Sequence, residues 1–169
     1  GVKGVTLTNY NVALGDARMQ DGDAAIQLVG CDNNIVMHCG LSYVKTWGIL
    51  AESCKQSTII YNTITKCLRQ SGINAIVNST GEGTIIAHNN ISECGLYAIE
   101  METKVLSKGK HLIHDNIISD CQVGIACVEK NFDTLVHDNI ITDCYQAFLV
   151  VNTNKTATKA ERLKIYNNT

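Results

Sequence analysis

Short apolar runs rich in β-branched residues recur along the chain, and glycine, asparagine, serine or charged residues close each one. One class of run pairs a small residue with a large apolar one. Its members are Ala25-Ile26, Gly48-Ile49, Ala75-Ile76, Ala98-Ile99, Gly124-Ile125 and Ala147-Phe148. A second class, such as Ile85-Ile86, Leu112-Ile113 and Leu135-Val136, ends just before an asparagine, and a third follows that asparagine. Runs this short, with this composition and these boundaries, predict strands rather than helices.

The runs belong to a repeat. HNNISEC (88–94), HDNIISDC (114–121) and HDNIITDC (137–144) align on an asparagine, and the alignment extends to Asn11, Asn34, Asn62, Asn89, Asn116, Asn139 and Asn167. Their spacings are 23, 28, 27, 27, 23 and 28 residues. Val36, Ile64, Ile91, Ile118 and Ile141 stand two places after the middle five, and Cys39, Cys67, Cys94, Cys121 and Cys144 five places after. Three short strands per unit cannot bury a face alone. Wound as a coil and stacked, each strand lies ~4.8 Å from its copy in the next turn, so like residues stack on like. Asparagine suits a tight bend between strands because it tolerates the left-handed region and its amide can bond to its copies. The expected fold is all-β: a right-handed parallel β-helix of about six coils, 23–28 residues each, as one domain over 1–169.

The unit, apolar-x-x-Asn-x-Ile-x-x-Cys followed by a loop and small-Ile-x-apolar, resembles the parallel β-helix repeat of the pectin-lyase-like superfamily. Residues 23–53, DAAIQLVGCDNNIVMHCGLSYVKTWGILAES, carry the resemblance most fully. It implies that the small-Ile runs form the first strand of each coil, those before asparagine the second, and those after it the third. It further implies a polysaccharide or surface glycan as ligand, on the first-strand face.

Composition sharpens this picture. The 169 residues contain no proline, as internal strands that donate to both neighbours require. A net charge of −2 without a basic block argues against nucleic acid and anionic membrane as partners, and no apolar run is long enough to span a bilayer. None of the eight cysteines has C-x-x-C spacing, and the five that share one repeat position read as a core ladder of small hydrophobes. Thiols in that number imply folding in a reducing cytosol, with action afterwards on a virion or cell surface. The open first and last coils imply a piece of a longer protein.

Candidate chemistry lies in outward columns and loops. The first-strand outward column is expected to hold Gln27, Leu50, Val77, Glu100, Ala126 and Leu149. Glu100, with Glu102 beside it, is the catalytic candidate, and the apolar remainder suits a homotrimer contact. Of the superfamily's motifs, the aspartate-histidine pair of pectate lyases leaves only His38, and the paired aspartates and Gly-His-Gly of polygalacturonases are absent. The connections GLSYVKTW (40–47) and LRQSG (68–72) supply Tyr43, Lys45, Trp47 and Arg69, which with Tyr97 form an expected sugar-binding set. Four residues after each asparagine stand His38, Lys66, Glu93, Asp120 and Asp143. The last three carboxylates are the candidate calcium ligands; no other cofactor is expected. His114-Asp115 and His137-Asp138, with His88 nearby, offer metal binding or acid–base chemistry. Three functions follow: a glycan-recognising tailspike or appendage domain, a secreted polysaccharide lyase, hydrolase or epimerase domain, or a structural spacer.

Overall fold

The computed structural model describes residues 6–8, 11–13, 24–77, 83–104, 110–129, 133–151 and 163–169. The connections 105–109 and 152–162 lie outside the described residues. Among those described, nineteen strands form three parallel sheets of seven, six and six strands, with no helix. In each sheet a strand pairs with its copy one coil away. Tyr97–Thr103, His111–His114 and Ile117–Ser119 make one complete coil. The fold is a parallel β-helix, and its coil count and strand order meet the sequence expectation.

The interior is a set of stacked columns. Ile26, Ile49, Ile73, Ile99 and Ile125 fill the first-strand side, Val36, Ile59, Ile86, Ile113 and Val136 the second, and Leu41, Ile64, Ile91 and Ile118 the third. Burying one such side chain contributes roughly 1.5–3 kcal/mol. At the first-strand bend there is room for little more than hydrogen: a Cβ on Gly48 would lie 2.5 Å from the carbonyl oxygen of Gly72.

A side-chain ladder holds the coils in register. The main-chain N–H and the side-chain Nδ2 of Asn116 both donate to Asn139 Oδ1, at 3.0 and 2.9 Å. The same pair of bonds links Asn62 to Asn89, Asn89 to Asn116 and Asn139 to Asn168. Each Nδ2 donates also to a carbonyl of the coil before, as Asn116 does to Ile86 at 3.0 Å.

The ladder departs from the aligned column at both ends. Asn168 closes it, not Asn167. At the other end Cys39, not Asn34, occupies the equivalent place, its N–H donating to Asn62 Oδ1 at 3.0 Å. Asn34 sits five residues out of step, buried with neither side-chain polar atom partnered. The main chain at Asn11 pairs with Gly40, which likewise removes Asn11 from the column. The shift has a cause: Gly40–Val44, expected to be a loop, is the third strand of its coil. Leu41 therefore matches Ile64, and Val44 matches Cys67, so Cys39 leaves the cysteine column.

The left-handed bend also lies elsewhere. The ladder asparagines have ordinary dihedrals, and the residue before each is left-handed: His38, Tyr61, His88, Asp115, Asp138 and Asn167, at φ of 52–55°, precede Cys39 and the five ladder asparagines. A second left-handed column, Tyr43, Lys66, Glu93, Asp120 and Asp143, precedes Val44 and the cysteines. Such residues cost roughly 1–2 kcal/mol each, and the paired ladder bonds on the next residue offset that cost.

A third column of buried polar residues, Asn34, Ser57, Thr84, His111 and Thr134, opens the second strand. Both ring nitrogens of His111 lack partners, and burial depresses its pKa to about 4.

Two stability outcomes follow. Asn116→Ala leaves a buried N–H and amide of Asn89 without acceptors and should cost about 3 kcal/mol in urea unfolding, whereas exposed Asn90→Ala should stay within ~0.5 kcal/mol. His111 binds its proton less readily in the fold than in the unfolded chain. Its contribution is therefore complete above pH ~6.5 and drains as the pH falls toward 4, on the order of 3 kcal/mol. Urea midpoints at pH 7.5 and 4.5 should accordingly diverge more in the wild type than in His111→Gln.

Candidate functional site

Left-handed bends turn their side chains outward, and stacking then lines them up along the helix. Rings at one such edge form a continuous column. His38 stacks on Tyr61 at 5.4 Å, Tyr61 on His88 at 4.9 Å, His114 on His137 at 5.1 Å and His137 on Tyr166 at 5.1 Å, all with nearly parallel planes. One step differs: His88 and His114 meet edge to face, at 5.7 Å and 81°.

The register explains that break. His114 is paired with Ala87, so His88 stands in line with Asp115. Below this step the rings occupy the bend position itself, and above it they occupy the position one residue earlier. His88 consequently faces both members of the His114-Asp115 pair on the next coil. Ligand atoms of His88, His114 and Asp115 lie within 4.8 Å of one another. No other group of three or more histidine, cysteine or acidic side chains is so gathered among the described residues.

His114 Nδ1 lies 2.7 Å from Asp115 Oδ2, and His137 Nδ1 lies 2.7 Å from Asp138 Oδ2. A carboxylate on Nδ1 fixes the ring and leaves Nε2 for a ligand. The His114 contact, with the nearby imidazoles, holds the Asp115 carboxyl below its usual range. Two imidazoles and a carboxylate suit borderline divalent ions, copper(II) foremost. The expected calcium set is not assembled: Glu93 lies 3.7 Å from Lys66 Nζ instead, and Asp120 and Asp143 form no gathered group with it.

The cysteines of the repeat column stay in the core. Cys67, Cys94 and Cys121 are buried, Cys144 half-buried, and no disulfide forms. The Cys94 contact and then burial push Cys121 well above the usual thiol range; at Cys94 the Cys121 hydrogen bond acts downward, but the Cys67 contact and burial outweigh it, and burial alone pushes Cys127 to about 12. A thiol held neutral inside a packed coil is a poor nucleophile and a poor metal ligand. Such thiols do not report the redox compartment, which removes the basis for a reducing cytosol.

The first-strand face assembles part of the expected glycan set. Pairing shifts one coil by three residues, so Gly72-Ile73 replaces Ala75-Ile76 and Asn74 replaces Val77 beside Glu100. Glu100 Oε2 accepts from Asn74 Nδ2 and from Ser71 Oγ, each at 2.8 Å. Desolvation raises the Glu100 pKa, the Ser71 hydrogen bond opposes this, and the charge of Glu102 adds to the rise. Glu102 itself pairs with Lys104 at 3.3 Å. Tyr97, raised by burial and by Glu100, shares the patch, and Trp47 stands in the coil before Ser71 with its indole N–H buried and unpartnered. Tyr43 lies apart, accepting from Lys66 Nζ at 3.1 Å. Lys45 is half-buried and Arg69 exposed, and each is engaged in an interaction. Sequence reasoning missed Ser71 and Asn74; Gly48 and Gly72, both demanded by the same bend, were the signal for the correct register.

A parallel β-helix bearing an exposed histidine–aspartate cluster on a ring-stacked edge is the class that fold and site define. The chain belongs to the family described as periplasmic copper-binding protein (NosD), whose model matches residues 2–169. No curated protein and no solved structure matches it.

Glu100 is a carboxylate kept at a cost to stability. Glu100→Gln should raise the melting temperature at pH 7.5, and the gain should shrink as the pH is lowered and the native carboxyl takes up its proton.

Proposed function

We propose that this domain is a periplasmic β-helix module that binds copper(II) through His88, His114 and Asp115. The observation that carries the reading is the gathering of these three donors at the one step where the ring column changes register. The family's description as periplasmic and copper-binding supports both the ion and the compartment. Copper(II) heads the affinity order for nitrogen and oxygen donors, and no cysteine belongs to the gathered donor group. Asp115 keeps the His114 ring oriented, and the ring column walls the cluster on both sides.

Copper(II) titration should show nitrogen hyperfine coupling in the electron paramagnetic resonance spectrum. Affinity should fall by about 10- to 100-fold in His114→Ala and in Asp115→Asn. Zinc should bind more weakly than copper. Unchanged affinity in His114→Ala would sink the assignment.

Glycan recognition is the second reading, favoured by the Glu100 cluster. Glu100 has a raised pKa, two fixed donors and an adjoining tyrosine, a setting suited to gripping sugar hydroxyls or to acid catalysis. The tailspike and homotrimer elements of that reading draw less support, since Asn74 and Glu100 interrupt the apolar face on which the trimer contact was argued.

A further inference from the structure

We propose that Cys31 and Cys54 form a modification site, which a disulfide-bearing oxidant converts into a covalent staple between neighbouring coils. The two stand 23 residues apart, outside the repeat column that fills the core with thiols. Strand register brings them together. Val29 pairs with Glu52 and Asp32 bridges to Lys55, which sets Cys31 opposite Cys54. Gly30 N–H donates to the Glu52 carbonyl at 2.9 Å and Lys55 N–H to the Cys31 carbonyl at 3.0 Å, which holds that register.

The turn is the same on both coils. Gly30 and Ser53 are left-handed, and so are Asn33 and Gln56, so each cysteine sits between two such residues. Each thiol donates to the carbonyl two residues before it, Cys31 to Val29 and Cys54 to Glu52, both at 3.3 Å. The Cys54 thiol also reaches the Leu28 carbonyl of the neighbouring coil, at 3.5 Å, and so lies on the Cys31 side. In-register neighbours at ~4.8 Å fall inside the roughly 4.4–6.8 Å that a disulfide spans between Cα atoms.

Access separates this pair from the stacked thiols of the core. Cys31 is half-buried, whereas Cys67, Cys94 and Cys121 are buried. Cys144 is half-buried too, but its neighbour Cys121 is pushed well above the usual thiol range, and the thiolate is the attacking form. At Cys31 and Cys54 the step balances. The Cys31 thiolate attacks a disulfide donor RSSR and expels one thiolate; the Cys54 thiolate then attacks the Cys31 sulfur and expels the other. Two electrons and two protons leave the protein, and the donor becomes two RSH. The family is described as periplasmic, and disulfides form and persist in that compartment.

The staple falls where the amide ladder is thinnest. Cys39 makes one bond to Asn62 Oδ1 in place of two, and Asn34 lies buried on the same coil with neither side-chain polar atom partnered. A disulfide between these two coils fixes the register that the missing amide leaves less constrained. The inference does not rest on the copper reading, since neither cysteine belongs to the metal group.

The test is incubation of the whole chain with glutathione disulfide at about pH 8, followed by thiol counting in denaturant and peptide mapping without reductant. Two of the eight thiols should disappear, with a mass loss of about 2 Da and the Cys31 and Cys54 peptides joined. The linked chain should melt roughly 5 °C or more above the reduced one, and dithiothreitol should reverse the shift. Cys31→Ala should abolish both link and shift while its circular dichroism stays that of the wild type. Cys39→Ser, on the same tryptic peptide as Cys31, should still form the link, and so should His114→Ala. Eight thiols left intact, a glutathione adduct at Cys31 without a link, or a link between any other two cysteines overturns the proposal. A linked chain that melts no higher than the reduced one overturns the staple.

Discussion

The structure depends on one constraint: a buried amide at each second bend must satisfy itself through the coils above and below. Asn89, Asn116, Asn139 and Asn168 each accept a pair of bonds at Oδ1, Asn62 Oδ1 accepts from Cys39 N–H, and each Nδ2 makes a further bond to a carbonyl. Inside the coil no water competes for these groups, so each unpaired one would carry a full desolvation cost. The ladder therefore sets register more firmly than the isoleucine columns can. Apolar columns accept any neighbour of similar volume, whereas an amide accepts only another correctly placed donor or acceptor.

Register then decides what reaches the surface. The residue before each ladder asparagine is left-handed and projects outward, which converts a sequence position into an edge running along the molecule. Where that edge holds rings in one place for several coils, they stack in parallel. Where they move by one residue, between His88 and His114, the stack turns edge to face and three ligand atoms converge. The candidate metal site is thus a registry fault in a ladder of rings. A perfect repeat would stack His88 on another histidine and keep the carboxylate away.

Several groups are held in states that the fold itself does not favour. His111 is buried without partners, Glu100 has a raised pKa, and Ser57 keeps an unpaired hydroxyl. The core thiols are different. They fill volume, and the raised pKa values of Cys94, Cys121 and Cys127 mark these three as inert. Polar groups that burden a stable solenoid are better markers of function than these core cysteines, because packing accounts for them fully.

The sequence by itself determined the architecture. Strand runs, the absence of proline and the asparagine repeat all encode local preferences that stacking amplifies, so coil count and strand order were legible from Ile64-, Ile91- and Ile118-type columns alone. The His114-Asp115 and His137-Asp138 pairs and Glu100 were legible too, as recurring or isolated polar residues at outward positions. Only the tertiary structure decided which copies face each other. Asn34 imitates the motif yet sits five residues out of step, because Gly40–Val44 forms a strand where a loop seemed natural. Asn74 meets Glu100 because the Gly72 bend, not the Ala75-Ile76 pair, matches Gly48. A local motif tolerates such slips, since each short strand is compatible with several offsets. Pairing between coils is not tolerant: the closed ladder and the glycine-only bend leave one offset, and the sites follow from it.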